Sequence, residues 1–217
     1  MEFIIKKLIL LIALIFTVQF YSYGQGTMCE PMHIFPLVYD CGEAIQCSTT
    51  VDLDCGSFTV RYTYRLCEDK QTHVFVCTIQ LQTVIEDIPV DCYDEFFGEE
   101  IDFFDGIMEA ILADIYDGSE CGQYCKPNQL NPCGYYYDFY VASCWKWSVS
   151  EINPNPPYNP TKYKLEACSD NGCCRITWEI CIIDKVPHYI KISQNPELEC
   201  RPDPENGCYV ILCGDDE

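Results

Sequence analysis

Cysteine is the residue type with the most chemistry to offer in this 217-residue chain. Eighteen are present: Cys29, Cys41, Cys47, Cys55, Cys67, Cys77, Cys92, Cys121, Cys125, Cys133, Cys144, Cys168, Cys173, Cys174, Cys181, Cys200, Cys208 and Cys213. Thiols can bond one another, ligate a soft metal or act as nucleophiles, and their spacing separates these uses. Structural zinc draws on closely spaced Cys or His pairs. No C-x-x-C occurs; the close spacings are Cys121 to Cys125, Cys41 to Cys47, Cys208 to Cys213 and the adjacent Cys173-Cys174, beside only three histidines, His33, His73 and His188. The even count permits complete pairing, so all eighteen are read as disulfide candidates and no metal or cofactor is expected. Connectivity cannot be deduced from spacing.

The N-terminus agrees with that reading. Lys6 and Lys7 precede an apolar run over 8–18 interrupted only by Thr17, with Ser22 and Gly24 placed for cleavage before Gln25. Such a segment is a secretory signal and is shorter than the roughly 20 residues of a membrane-spanning helix. Disulfides persist outside the reducing cytosol, so a secreted, periplasmic or cell-surface location is expected, with no membrane span after cleavage. Without Glu2, Lys6 and Lys7, the 13 basic and 34 acidic residues become 11 and 33, a net charge of −22. That excludes nucleic acid, whose binding needs Lys and Arg to displace counterions, and disfavours anionic membrane surfaces.

Three other constellations were weighed as chemistry. The acidic run Asp91, Asp94, Glu95, Glu99, Glu100, Asp102 and Asp105 lacks the D-x-D-x-D-G spacing of a calcium loop, and reads as a solvated helix face. With so many acids, no carboxylate pair marks a glycosidase. Ser143-Cys144-Trp145 resembles three residues of the C-G-S-C-W segment of papain-like proteases, but Val141 and Ala142 replace the preceding Cys and Gly, so Cys144 is read as a bridge half. There is no G-x-S-x-G, H-E-x-x-H or phosphate loop.

The elements that must position these residues are mostly strands. Phe58, Val60, Tyr62, Tyr64 and Leu66 alternate with Thr59, Arg61, Thr63, Arg65 and Cys67, the period of a half-buried strand. A second strand over 73–85 places Phe75, Cys77, Ile79, Leu81, Thr83 and Ile85 together. Matching the apolar faces puts Leu66 opposite Cys77 or Ile79, since a one-residue slip would bury Arg65. Cys67 and Cys77 then face opposite sides and are not bonded to each other. Over 95–117, Phe97, Ile101, Phe104, Met108, Ile111 and Ile115 trace one helical stripe, widened by Phe103, Ile107 and Leu112. Gly118 is the stop.

The longest strand, 135–149, carries Tyr135, Tyr137, Phe139, Val141, Ser143, Trp145, Trp147 and Val149 on one face, read as core against the helix. Its length implies a bend near Ala142-Ser143. Tyr136 and Tyr140, on the other face, have less reason to be there and are the binding candidates. A Pro-rich connector over 151–161 precedes hairpins with turns at Asn171-Gly172 and Asn206-Gly207. Arg61-Tyr62-Thr63-Tyr64-Arg65-Leu66-Cys67 and Arg175-Ile176-Thr177-Trp178-Glu179-Ile180-Cys181 match type by type, the pattern of two similar hairpins each stapled at the strand end.

The expectation is therefore a mainly β (α+β) protein: antiparallel hairpins in a disulfide-stapled sheet or sandwich with one amphipathic helix at 95–117. The boundaries are a signal peptide (1–24), a Cys-rich β domain with the helix (25–150), the connector (151–161) and a β-hairpin subdomain (162–217). A non-enzymatic structural or binding role outside the cytoplasm is expected, toward a cell-surface or carbohydrate ligand. The rivals are a small secreted hydrolase with a carboxylate/His site and a secreted inhibitor or toxin. Cys67, Cys144, Cys174 and Cys181, at strand ends, are the cysteines whose loss should matter most, at about 2–5 kcal/mol for a native bridge. Intact mass of the exported protein should begin at Gln25 and take up no alkylating agent until reduced; free thiols or an uncut N-terminus would defeat the reading.

Overall fold

The computed structural model describes residues 29, 39–96, 99–118, 121, 125, 133–155, 157, 160–168 and 172–213. The signal segment, and most of the stretch 34–39 whose sequence reads as a short strand, lie outside the described residues. Among them, eleven strands form two sheets. The larger sheet contains β1 (Tyr39–Cys41), β2 (Ile45–Leu53), β3 (Gly56–Asp69), β4 (Phe75–Leu81), β6 (Tyr135–Val141), β9 (Cys173–Ile183) and β10 (Val186–Leu198). Its order is β1-β3-β4-β6-β9-β10, with β2 also paired to β3. The smaller sheet is β11 (Tyr209–Val210), β7 (Cys144–Ile152), β8 (Pro160–Ala167) and β5 (Val84–Pro89), in that order. Neighbours are antiparallel except β4 and β6, which run parallel.

The β3–β4 register is the one the apolar faces demand. Leu66 sits opposite Cys77 and Tyr64 opposite Ile79, and Phe58, Val60, Tyr62 and Tyr64 are buried. Cys67 and Cys77 take different partners, Cys41 and Cys125.

Two strands that read as continuous are broken, and each break changes sheet. The 73–85 strand stops at Leu81 and resumes at Val84 in the other sheet. The 135–149 strand bends where its length predicted: β6 ends at Val141, Ala142 and Ser143 turn, and β7 begins at Cys144. The two sheets are thus joined by the same device twice, and α2 fills the space between them.

The helical stretch divides. A short helix, α1 (Val90–Phe96), precedes α2 (Glu100–Asp117), and Glu99 between them has non-helical φ −128° and ψ 35°. This corrects the single helix expected over 95–117; Phe97 and Gly98 lie outside the described residues. Ile101, placed in the stripe by periodicity, is 45% exposed, because it falls in the first turn of α2, beyond the ring cluster. The remainder of the stripe is buried: Phe103, Phe104, Ile107, Met108, Ile111, Leu112 and Ile115. Gly118 ends α2 in the left-handed conformation, its N–H donating to the Asp114 carbonyl.

Phe103 is the hub of the core. It stacks on Phe58 of β3 at 5.4 Å between ring centroids and meets Phe96 of α1 at 5.4 Å and Trp147 of β7 at 5.7 Å. Phe104 meets Trp145 at 5.1 Å. The aromatic face of 135–149 is therefore core over most of its length, with Val149 exposed at its end. Two polar groups entering this core find partners: Tyr62 Oη donates to Asp114 Oδ2 at 3.0 Å, and Trp178 Nε1 approaches Met108 Sδ at 3.2 Å; buried Trp147 Nε1 and Ser143 Oγ have no hydrogen-bond partner among the described residues.

Asn171 lies outside the described residues, but the strands flanking Asn171-Gly172 do not pair as the hairpin that dipeptide suggested. These strands, β8 and β9, belong to different sheets. Gly172 is needed for a different reason. It has φ +56°, and a Cβ there would lie 2.5 Å from the Cys200 amide nitrogen. The 151–161 connector links β7 and β8, adjacent antiparallel strands. Segments on either side of it share both sheets: β8 pairs with β5, and β9 with β6.

The matched heptapeptides occupy equivalent places. β3 pairs with β4, and β9 with β10, in the same order across the sheet. Each terminal cysteine bonds a residue on the side away from its hairpin partner: Cys67 to Cys41 of β1, and Cys181 to Cys133 just before β6.

Phe103→Ala should lower stability by about 3–5 kcal/mol, as for other buried Phe deletions, since one ring supports both sheets and α1. Urea denaturation of the oxidised protein measures it, and a loss under about 1 kcal/mol would remove Phe103 from that role.

Candidate functional site

All eighteen cysteines are paired and none is free. The adjacent pair Cys173-Cys174 serves opposite sides of β9, as successive strand residues must: Cys173 bonds Cys29 and Cys174 bonds Cys213. The helical layer is held at both ends, by Cys55–Cys92 in α1 and by Cys47–Cys121 and Cys77–Cys125 beyond α2. The C-terminal segment is held by Cys144–Cys200, Cys168–Cys208 and Cys174–Cys213. Cys144, the residue with the protease-like neighbours, is thus half of a bridge and offers no thiolate.

The acidic run is divided between solvent and structural use. Asp91, Asp94, Glu95, Glu99 and Asp102 are exposed, while Asp105 accepts from Lys191 of β10 at 2.9 Å. Asp52 and Asp114, outside that run, accept from Ser57 and Tyr62.

The two tyrosine candidates separate. Tyr136 is 40% exposed, whereas Tyr140 is 5% exposed in a small cluster with Cys29 and Cys173. This corrects the pairing of Tyr140 with Tyr136 as a ligand contact. The outer face of β6 and β9 is covered where Cys29 is bonded to it, so alternation no longer means exposure there. The same strands carry a polar group that alternation alone did not reveal. Asp138 accepts from Thr177 Oγ1 at 2.7 Å, and Arg175 Nε pairs with Glu197 at 3.2 Å. Burial raises the Asp138 carboxyl pKa, against lowering by the Thr177 hydrogen bond and by Arg175. Burial likewise raises the Tyr140 phenol, which also interacts with Arg175.

Among the described residues, a small cleft of about 260 Å³ lies beside Tyr136, and two larger ones are open. One, about 600 Å³, lies where β3, β5 and β8 meet beside the first sheet switch. Its polar lining is Ser57, Thr59 and Arg61 of β3, Gln82 at the switch, Glu86 and Asp87 of β5, and Thr161 and Lys162 of β8. A bulge between Ile85 and Ile88 turns Asp87 to φ +57°, where its carboxylate accepts from Lys162 Nζ at 3.1 Å. Arg61 is exposed, and among the described residues its guanidinium has no partner. Sequence reading had treated Arg61 only as a solvent-side strand residue. The signal it lacked was the bulge, which carries a β5 carboxylate over the same face.

The other cleft, about 590 Å³, lies at the far end of the large sheet. Ile45, Tyr64, Leu66 and Phe75 form its floor, with Asp40, Glu43 and Glu68 among its other lining residues. His73, on the β3–β4 turn, has Nδ1 2.7 Å from Glu68 Oε1, and its side chain is 75% exposed. His188 lies on β10, opposite Cys181. Among the described residues no helix is long and apolar enough to cross a membrane.

Comparison with known proteins adds no assignment: no family description, curated protein or solved structure matches this chain. The class defined by fold and bonding is a disulfide-rich, mainly β protein of two sheets around a helix.

A carboxyl whose folded pKa is raised binds its proton more tightly in the folded chain. Its contribution to stability is therefore most favourable below the unfolded value, falls as pH rises through the folded value, and is level above it. Asp138→Asn should remove this fall and leave the variant more stable than the parent at neutral pH. Urea midpoints of both proteins from about pH 4 to pH 8 test it; parallel profiles would show that Asp138 is not held against its charge.

Proposed function

We propose that the protein acts outside the cytoplasm as a rigid binding module, and that the cleft between β3, β5 and β8 is its ligand-contacting surface. The observation carrying this reading is that Arg61, whose guanidinium has no partner among the described residues, lines one cleft with Glu86, Asp87, Gln82 and three hydroxyl residues. This is a dense set of donors and acceptors in a cavity of ligand size, on strands that the bridges hold in place. Complete disulfide pairing and the N-terminal signal support the location. A polyhydroxylated ligand such as a cell-surface glycan suits a lining of this kind, since each hydroxyl both gives and accepts a hydrogen bond.

Binding of the purified, oxidised protein to a polysaccharide panel and to whole cells tests this. Arg61→Ala should weaken binding by roughly tenfold to a hundredfold, the value of a hydrogen bond to a charged group. An unchanged affinity would move the site elsewhere, and absence of binding throughout the panel would defeat the reading. A second reading, a small secreted hydrolase, draws on the His73–Glu68 pair beside the other cleft. Turnover of ester, peptide or glycoside substrates that His73→Ala abolishes would favour it instead.

A further inference from the structure

Of the eighteen cysteines, Cys133 alone is exposed. Its bridge to Cys181 fastens the chain just before β6 to β9. The remaining bridges join half-buried or buried cysteines, so a thiol in solution reaches this sulfur most readily. Exposure also marks the labile members of a disulfide set.

Among the described residues, this bridge alone has a carboxylate gathered against both its sulfurs. The two sulfurs and a Glu179 carboxylate oxygen lie within 4.8 Å of one another. Glu179 is held in place by the Gly134 N–H, which donates to its Oε1 at 2.8 Å. His188 stands directly opposite Cys181 in the β9–β10 register. Directly opposed antiparallel residues project to the same face with Cβ atoms about 4.5–5.5 Å apart, and the His188 side chain is exposed and able to turn. Two sulfurs, one carboxylate and one imidazole are the donor types of a tetrahedral zinc site. Metal–donor bonds of about 2.0–2.3 Å put such donors roughly 3.6 Å apart, a separation the sulfurs can reach once their bond is broken.

We propose that reduction of Cys133–Cys181 converts this bridge into a binding site for a divalent cation of the zinc class, with Cys133, Cys181, Glu179 and His188 as ligands. A thiolate of a small dithiol attacks Cys133 Sγ, forming a mixed disulfide and releasing Cys181 as thiolate. The second thiol of the reductant then displaces Cys133 and closes the reductant's own disulfide. Two electrons and two protons pass to the protein. The cation displaces the two thiol protons as it binds, and the Glu179 carboxylate and His188 imidazole complete its four ligands. Bridge and metal site exclude each other, so the cation is held only in the reduced form. Eight bridges remain to keep the strands in place.

The test uses the full oxidised protein under limiting dithiol in the absence of oxygen. Differential alkylation and peptide mass should find Cys133 and Cys181 opened first. The selectively reduced protein, its fold checked by near-ultraviolet circular dichroism, is then titrated with Co²⁺. One equivalent should give the intense visible bands of tetrahedral cobalt with a thiolate charge-transfer band, and Zn²⁺ should displace it. The oxidised protein and a Cys133→Ser, Cys181→Ser double variant should give neither band. Glu179→Gln and His188→Ala should each weaken cobalt binding by about tenfold or more. Earlier opening of another bridge, loss of the fold on reduction, absence of the cobalt spectrum, or indifference to both ligand variants would each overturn the proposal.

Discussion

Phe103 touches β3, α1 and β7 at once, and the two sheets can close only around that ring and its neighbour Phe104. The burial of a helix stripe between sheets is the constraint from which the other features follow. Both strand breaks, at Gln82-Thr83 and at Ala142-Ser143, occur where a strand leaving the large sheet must turn to reach the far side of α2. A straight strand of fifteen residues would have carried Trp145 and Trp147 past the helix instead of onto it.

The bridges reinforce that arrangement from its perimeter. Those through Cys92, Cys121 and Cys125 anchor the two ends of the helical layer to β2, β4 and the β2–β3 turn. Those through Cys200, Cys208 and Cys213 draw the C-terminal segment across both sheets. The extreme case is Cys29–Cys173, separated by 144 residues, which packs against Tyr140. In the chain-entropy account a bridge stabilises more as its loop lengthens, so the widely spaced pairs constrain the unfolded chain most.

The open surfaces lie where this construction stops. The polar cleft occupies the corner left by the first sheet switch, where a bulge in β5 faces the outer side of β3. The apolar-floored cleft lies where the large sheet runs on beyond α2. Both sit on strands rather than on long loops, which keeps their side chains in fixed relation.

Much of the architecture could be read from residue order alone, because alternation and helical periodicity are local consequences of which face meets water. The β3–β4 register, the separate fates of Cys67 and Cys77, the bend at Ala142-Ser143 and the stop at Gly118 all followed from that logic. Periodicity failed where a local pattern was overruled by a distant contact. Tyr140 had the alternation of an exposed residue and was buried by Cys29; Ile101 fitted the helical stripe but lay beyond the reach of the core. Asn171-Gly172 had the chemistry of a hairpin turn and instead joined two sheets. Cysteine number and parity were enough to expect complete pairing, since an even set of thiols without metal-site spacing can close entirely among itself. The choice of partners, the meeting of Arg61 with Asp87 in one cleft, and the placing of His188 opposite Cys181 were decided only by the tertiary structure. Each depends on two segments, distant or separated by a turn, arriving at the same point in space, and no local period encodes that.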